Sequence, residues 1–463
     1  PLRLVGSEMC IRDRRLDMHV HVLGIGAMGT LIASHLRTAM RQRHMPLMRT
    51  RTPRWHVPAS VAAYLPDAES LTLTLHMREK AGARKQDDDT PGFTELTVDR
   101  EGARMTEKGF EVELASPVDP VQTRVFLPDA NGIPRERPGR PPRPLDSLIV
   151  TAKADATFAA VRSLVPRITP STTVVLLQNG MGVLDQLIER FWPRPDMRPH
   201  FVLGSATHGC YLRKPLHTIH AGFGSVYLGL VPSAQLATAR ATAPAKPQGV
   251  EPCASKMDLA GLPEGSLRST LALLLSLPLD VHWEPIRAFQ MRALRKLAIN
   301  ACINPTTALV DCKNGDLFGV PAALDLFRAL CTEASQVLEA HARDAKAAAT
   351  TSETEAVHLS SLPLADLLTQ TDGDGIPLLD ASLKPASLLH EVENVVRATA
   401  TNWSSMHQDI RTRRGKTEIK YINGYLAELG RAYGIPTPAN DMLINLVKLK
   451  SQRVTGSWNS RAM

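Results

Sequence analysis

His19-Val20-His21-Val22-Leu23-Gly24-Ile25-Gly26-Ala27-Met28-Gly29 is the stretch from which the architecture can be read. His19 to Leu23 alternates like a short strand, the glycines follow as G-x-G-x-x-G, and a helical run continues to about Met40. The glycine spacing is weak by itself and gains meaning from having a strand before it and a helix after it. Gly24 permits the tight turn, Gly26 lets backbone approach a pyrophosphate, and Gly29 lets helix and strand pack closely. The helix start offers free amides and a positive dipole end to phosphates. The expectation is a dinucleotide site built from Gly24, Gly26, Ala27, Met28 and Gly29.

Which dinucleotide depends on the end of the second strand. Leu71 to Leu75 is the candidate, delayed by a Pro- and Arg-containing insertion, and it exits into His76-Met77-Arg78-Glu79-Lys80. An NAD-type site wants an acidic residue there for the ribose hydroxyls. Arg78, with Lys80 beside it, suits a 2′-phosphate and favours NADP; Glu79 pulls the other way unless it pairs with a neighbouring base.

Further along, Thr94 to Val98 and Phe110 to Leu114 alternate as strands, and Pro128 to Pro144 reads as an exposed loop dense in Pro, Gly and Arg. Leu148 to Thr151 and Val174 to Leu177 are nearly all-apolar, as strands of a parallel sheet are. Lys153 follows the first and Asn179 the second, at the sheet edge where ligands of open α/β sheets sit. Each also has a plain reading, as a surface lysine and a turn-forming asparagine. His217 to Leu230 reads as a hairpin closing the sheet, Pro232 to Pro263 as an insertion or linker, and Leu267 to Leu275 as a helix. His282 to Pro285 would end this part of the chain.

From Ile286 onward helical periodicity dominates, with loops expected at Thr350 to Pro363 and around Thr371 to Pro377. The organisation is therefore an α/β N-terminal Rossmann-like dinucleotide-binding domain over residues 18–285, followed by an all-α C-terminal domain over 286–463, with the active site between them. The second part opens on Lys296-Leu297-Ala298-Ile299-Asn300-Ala301-Cys302-Ile303-Asn304-Pro305. Lys296, Asn300 and Asn304 are four residues apart and line one helix face. That row is either the wet side of a surface helix or a row facing a cleft.

Composition sets the outer bounds. The 463 residues suffice for two or three domains, and 43% hydrophobic with 22% charged content is ordinary for a globular chain. No stretch approaches the roughly 18 apolar residues of a membrane span, so no membrane association is expected. Six cysteines without CxxC pairing support neither a zinc site nor a disulfide framework, and they read as buried thiols of an intracellular protein with no metal. A net charge of +8 suits anionic ligands, and the basic region from Arg37 to Arg54 lacks the interleaved aromatics of a nucleic-acid surface. Residues 1–17 carry no signal-peptide core, and Met18 directly precedes the first strand, so residues 1–17 read as an extraneous or disordered tail.

Several blocks together resemble one family. GIGAMG near the start, VTAKA and LQNGMG in the sheet, RKLAINACINPTTALVDCKNGDL at the head of the helical part and ATATNWSSMHQDIRTRRGKTEIKYINGYL near the end stand in the order seen in ketopantoate reductases (2-dehydropantoate 2-reductases). The resemblance spans nearly the whole chain from Met18. Insertions at Arg41 to Glu69 and near residues 135, 245 and 360 suggest a fungal-type member. It implies NADPH-dependent reduction of 2-dehydropantoate to (R)-pantoate, for pantothenate and coenzyme A. It also implies catalytic Lys296 and Glu418, substrate-binding Asn300, Asn304, Asn402 and Ser405, and cofactor-contacting Lys153 and Asn179.

The chemistry agrees with those roles. Hydride delivery to a ketone builds negative charge on oxygen, and a lysine can supply both charge and proton. Two other readings stand beside it: a reductase of a different branched 2-oxo acid, and a family relative that binds without catalysis, for example RNA. The expected partner is a small 2-oxo acid, with no nucleic acid, a homodimer as one assembly open to the chain, and the cytoplasm, or else the mitochondrion, as location.

Overall fold

The computed structural model describes residues 17–43, 57–78, 94–116, 123–233, 236, 258–351, 368–371 and 377–456. The expectations for the tail before Asp17, for Glu79 and Lys80, for the linker near residue 245 and for the loop near residue 360 lie outside the described residues.

The first strand, β1 (Met18–Leu23), is buried along its whole length. It lies between β2 (Leu71–Arg78) and a later strand, parallel to both. Chain order continues with β3 (Leu96–Arg100), β4 (Ala103–Glu107), β5 (Glu111–Ala115), β6 (Thr123–Pro128) and β7 (Pro134–Glu136). Then come β8 (Ser147–Val150), β9 (Thr173–Leu176), β10 (His200–Ala206), β11 (Gly209–Lys214), β12 (His217–Gly222), β13 (Val226–Leu230) and β14 (Val281–Glu284). One sheet runs β14-β13-β10-β9-β8-β1-β2-β5-β6-β7, and its centre, β10 to β5, is parallel throughout. Strand order reverses between β1 and β8, which makes the crevice above their carboxyl ends the place for a dinucleotide.

Helices cover both faces. On one, α1 (Ala27–Arg43) buries Leu31, Ile32 and Leu36, and a later helix of residues Ser266–Leu275 adds Leu267, Leu271 and Leu274. On the other, the helices Ala154–Arg162 and Val183–Phe191 bury Val161, Leu184 and Leu187 against Leu148, Val150 and Val174.

Two expectations for this half are corrected, and several strands are additions to them. His217 to Leu230 is no hairpin: β12 pairs with β3 and β11 in a second sheet, whereas β13 pairs with β10 and β14 in the first. Gly222 and Gly224 part the two strands, and the backbone turns away from its predecessor. The Pro-rich loop contains β7, which pairs antiparallel with β6 and buries Pro134. β4, β6, β10, β11 and β14 were not anticipated, because polar residues such as Arg104, Arg124, His200, Ser205, Arg213 and His282 break their apolar patterns.

The histidines of β1 look misplaced in a buried strand until their partners are counted. His21 Nδ1 lies 3.0 Å from His76 Nε2, and His21 Nε2 lies 2.9 Å from the Pro144 carbonyl. Glu113 stands beside both rings and is held by Arg167 through N–H···O bonds of 2.6 and 2.9 Å. Desolvation, reinforced by the nearby charge of Arg167, pushes His76 down to about 3, and desolvation above all, with His76 next, puts His21 well below the usual imidazole range. Both rings are therefore neutral in the fold.

From Ile286 the chain is mainly helical, apart from a small antiparallel pair, Leu368–Thr371 with Pro377–Leu379. The long helix Ile286–Val310 carries Lys296 and continues through Pro305. Proline has no N–H for the carbonyl four residues back. That carbonyl, Ala301 O, instead accepts a 3.0 Å bond from Asn423 Nδ2. Asn423 also donates to Asn440, and Asn440 donates to Glu333, all buried. Around this polar centre the helix Pro321–Thr351 buries Phe327, Leu330 and Leu338. Cys302 and Cys331 are buried thiols as expected, whereas Cys210 and Cys312 are half-buried. Among the described residues no helix is long and apolar enough to cross a membrane.

Candidate active site

The glycine turn is shaped by close approach. Gly24 has φ +99°, and a Cβ there would stand 2.3 Å from the Ala152 nitrogen. A Cβ on Gly29 would stand 2.4 Å from the Gly24 oxygen and 2.6 Å from Thr151 Oγ1. Gly26 is different: a Cβ there meets nothing within 4 Å, so space lies open above the turn. With α1 beginning at Ala27, the amides of Ala27, Met28 and Gly29 belong to the first helical turn, which has no carbonyl one turn back. An open turn under unsatisfied amides fits a pyrophosphate. Arg78 lies exposed at the carboxyl end of β2, at the edge where the ribose of such a ligand would lie.

Lys153 caps the helix Ala154–Arg162 directly beside this turn, since the Ala152 amide bonds the Leu23 carbonyl at 3.1 Å. Its ammonium is paired with the carboxylate of Asp409, from the short helix Ser405–Arg411. Sequence reading did not single out Asp409. It lies four residues after Ser405 on the same helix face, and that spacing was the available signal. Burial pushes the Asp409 carboxyl up, and Lys153 opposes that.

Asn179 ends β9 in the turn Gln178-Asn179-Gly180-Met181-Gly182. Gly180 has φ +90°, and a Cβ there would meet the Tyr421 oxygen at 2.6 Å. The Met181 amide bonds that same oxygen at 2.9 Å, tying the turn to the helical part. Tyr421 ends a short 3-10 turn, Glu418–Tyr421, which begins with Glu418, 4% exposed. Glu418 accepts from the Asn179 side chain and, at 3.4 Å, from the Ala154 amide. Burial raises its carboxyl; Lys153 lowers it and Asp409 raises it again. Glu418 is thus the residue on which the two sheet-edge positions and the helical part converge.

Lys296 reaches across to the end of β10, where its ammonium donates to the Ala206 carbonyl at 2.8 Å and to Ser205 Oγ at 3.2 Å. Removal from water lowers it to about 8, with Glu418 opposing the shift. Lys296, Asn300 and Asn179 line one cavity of about 110 Å³, whose remaining wall is largely apolar and includes Leu176, Phe289 and Leu297. The row is therefore a cleft-facing row at its first two positions, not the wet side of a surface helix.

The other positions expected to face a substrate lie farther along. Asn304, one turn beyond Asn300, is buried, and its carbonyl is 3.5 Å from Ser404 Oγ. Ser404 caps the helix that Ser405 begins, accepting from the His407 amide, so Ser405 is carried next to the Asn304 turn. Asn402 is exposed in the preceding turn, with its backbone bonded to Asn314 and Thr399. Of the sequence-derived set, the structure gathers Lys296, Asn300 and Asn179 at the cavity and sets Glu418 and Lys153 against Asn179 and Asp409. It leaves Asn402 and Arg78 at the surface.

Comparison with known proteins gives the family and the fold. The family profile "Ketopantoate reductase PanE/ApbA" matches residues 93–233, and "Ketopantoate reductase PanE/ApbA C terminal" matches residues 288–451. A 2-dehydropantoate 2-reductase of Yersinia pestis is 30% identical over 319 residues, 67% of this chain and 78% of that protein. The chain belongs to the ketopantoate reductase family. A probable 2-dehydropantoate 2-reductase of Schizosaccharomyces pombe is 26% identical over 309 residues, 66% of this chain and 73% of its own length. Among solved structures, D-mandelate dehydrogenase with NADH and anilino(oxo)acetate superimposes with a TM-score of 0.57 at 18% identity, covering 94% of this chain and 99% of that one, a likeness of fold. The family resemblance read from the sequence blocks is thereby borne out, as is the succession of a Rossmann-like half and a helical half typical of ketopantoate reductases.

Proposed function

We propose that this protein reduces 2-dehydropantoate to (R)-pantoate with NADPH, a step of pantothenate biosynthesis. The observation that carries the reading is Lys296: a lysine drawn down to about 8, fixed to the sheet by Ala206 and Ser205, on the wall of a largely apolar cavity. A general acid works best when its pKa lies near the working pH. At pH 7 Lys296 is mainly protonated and close to the point of release, so it can hand a proton to the carbonyl oxygen as charge grows there.

Bound NADPH would supply the hydride. The chain's own residues do the rest. The turn Gly24 to Gly29 and the start of α1 receive the pyrophosphate, with Arg78 meeting the 2′-phosphate and Lys153 and Asn179 facing the ribose and nicotinamide end. Asp409 pairs with Lys153 and so limits where its ammonium can go. Glu418 steadies the charged form of Lys296 and holds the Asn179 amide. Asn300, on the cavity wall, bonds the carboxylate or hydroxyl of the substrate, and the same role for Asn304, Asn402 and Ser405 rests on the family resemblance alone. A site built to bond a hydroxyl discriminates strongly against analogues without one. The reading keeps the cytoplasmic location and a homodimer as its assembly. The exposed apolar row Met442, Leu446 and Leu449 on the last helix supports a second copy.

The test is direct. Purified protein with 2-dehydropantoate and NADPH should lose absorbance at the reduced-nicotinamide band, and no loss sinks the proposal. A panel of other branched 2-oxo acids, turned over more slowly, completes it.

A further inference from the structure

The end of β10 presents two oxygens to Lys296, and they are not alike. The Ala206 carbonyl only accepts, whereas Ser205 carries a hydroxyl, 3.2 Å from the ammonium, with a hydrogen of its own. A charged lysine has no lone pair to receive that hydrogen. Among the described residues no other group accepts it. Lys296 is in a like position: two of its three N–H groups are used, and the third has no acceptor among the described residues. Both side chains line the cavity that Asn179 and Asn300 share. Ser205 itself is fixed. It is 8% exposed and stands opposite Tyr227 of β13 in the sheet. The residue before it, Gly204, is packed so closely that a Cβ would stand 2.3 Å from Leu177 Cδ2, and the Thr207 amide beyond it bonds the Ser225 carbonyl at 2.9 Å.

We propose that Ser205 is a catalytic residue in its own right: its hydroxyl donates to the carbonyl oxygen of the 2-oxo acid while Lys296 protonates that oxygen. This assignment rests on the reductase reading above. The geometry is that of two donors and one acceptor. An oxygen that takes the Lys296 proton lies about 2.8 Å from Nζ, and one that also lies about 2.8 Å from Ser205 Oγ completes a triangle whose third side is the observed 3.2 Å. The carbonyl oxygen gains an electron pair as hydride adds to its carbon; Lys296 gives it a proton and becomes neutral, and Ser205 keeps its own hydrogen throughout. Two fixed donors stabilise that growing charge better than one, because neither has to reorient as the reaction proceeds. A carboxylate or a ribose oxygen also accepts from a hydroxyl. The carbonyl oxygen is nevertheless the acceptor that must stand beside Nζ, since the proton goes there, and Ser205 Oγ is the side-chain oxygen already bonded to Nζ.

Kinetics of Ser205→Ala, alone and combined with Lys296→Ala, test this in the full chain. The single variant should lose about 10²-fold in kcat, the scale of one such donor, with the KM of the 2-oxo acid within about threefold of the parent's. Its NADPH affinity, read by calorimetry without substrate, should match the parent's. In the Lys296→Ala background the same change should still lower the residual turnover about tenfold or more, because the hydroxyl acts on the substrate and not through the lysine. Ser205→Cys, with a weak donor at nearly the same place, should fall between serine and alanine, and it carries the test if the alanine variant fails to fold. Parent-like kcat in either variant overturns the assignment. No further loss in the Lys296→Ala background overturns it as well, and leaves Ser205 as a residue that only positions the lysine. A defect confined to KM would give the hydroxyl to the carboxylate, weakened NADPH binding would give it to the ribose, and either result overturns the assignment too. If the parent reduces no 2-oxo acid at all, the reductase reading itself falls, and the assignment with it.

Discussion

Lys296 donates to the carbonyl oxygen of Ala206 at 2.8 Å, so the helix that carries the candidate proton donor is fastened to the end of a sheet strand 90 residues earlier in the chain. A lysine held in this way cannot swing out to regain water, and desolvation keeps it near 8. The pH dependence follows. Reduction needs the protonated form, so turnover should fall as pH rises through about 8. The reverse oxidation needs the neutral form and should rise through the same range. Lys296→Ala should lose roughly 10²–10⁴-fold in kcat, the usual worth of a positioned proton donor, while NADPH affinity measured by fluorescence stays close to that of the parent. A variant with unchanged turnover removes the lysine from the chemistry.

Glu418 supplies the counter-test. Its charge raises Lys296 against the pull of desolvation. In Glu418→Gln that support is gone, so Lys296 should drop further and the alkaline limb of the reduction profile should move to lower pH. A limb that stays in place, or moves up, would show that Glu418 is not charged when Lys296 works, an outcome its own raised carboxyl makes worth measuring.

How far the site could be read from sequence depends on range. The strand, glycine turn and helix at Leu23 to Gly29 follow one another in sequence, so their pattern was legible, although the contacts that require Gly24 and Gly29 come in part from Ala152 and Thr151 and Gly26 has none within 4 Å. Lys296 and Asn300, one turn apart on one helix, were visible as a row, but the pattern left open whether the row faced water or a cleft. Asp409, Ser205 and Ala206 were not legible as site residues, because their meaning lies in partners far along the chain: Lys153 is 256 positions from Asp409. The pairing of β12 with β3 escaped for a like reason, since two short alternating runs around Gly222 and Gly224 match a hairpin pattern and only the tertiary structure separates them.

Gly29 is the position where the fold and the proposed cofactor make the same demand. An alanine Cβ would press on the Gly24 oxygen, which is backbone and cannot rotate away. Gly29→Ala should cost about 1–3 kcal/mol, as overpacking does, and should weaken NADPH binding by spreading the turn. Urea unfolding and calorimetry read the two effects. A stable variant with intact binding would mean that α1 can slide along the sheet.

The His21 and His76 pair should make the protein sensitive to acid. Both rings titrate below their value in the unfolded chain, His76 from 6.5 to about 3. A base with a depressed folded pKa gives stability that is intact above the unfolded value and is lost as pH falls below it. Between pH 6.5 and about 3 each such histidine should remove about 1.4 kcal/mol per pH unit. His76→Gln should then lower the slope of stability against pH by about 1.4 kcal/mol per unit in urea unfolding from pH 6.5 to 4.5, leaving the share of His21 and of the other lowered histidines, His35 and His220 among them. An equal slope in both would place the acid sensitivity elsewhere.

The last prediction concerns the proline in the helix that carries Lys296. Pro305 denies Ala301 its helical hydrogen bond, and Asn423 supplies a substitute from another helix while also holding Asn440. Asn423→Leu leaves the Ala301 carbonyl and the Asn440 amide group short of a partner in the core, which should cost roughly 2–5 kcal/mol from two unmet groups. Pro305→Ala restores the missing N–H and lets Ala301 bond within its own helix. If the Asn423 side chain serves as that replacement donor, the double variant Pro305→Ala, Asn423→Leu should be more stable than Asn423→Leu alone by about 1 kcal/mol or more. The same alanine in the parent should gain less, because there the carbonyl is already satisfied. Equal effects of Pro305→Ala in both backgrounds would show that the two residues act independently, and that the proline sits in this helix for some reason other than opening a carbonyl to Asn423.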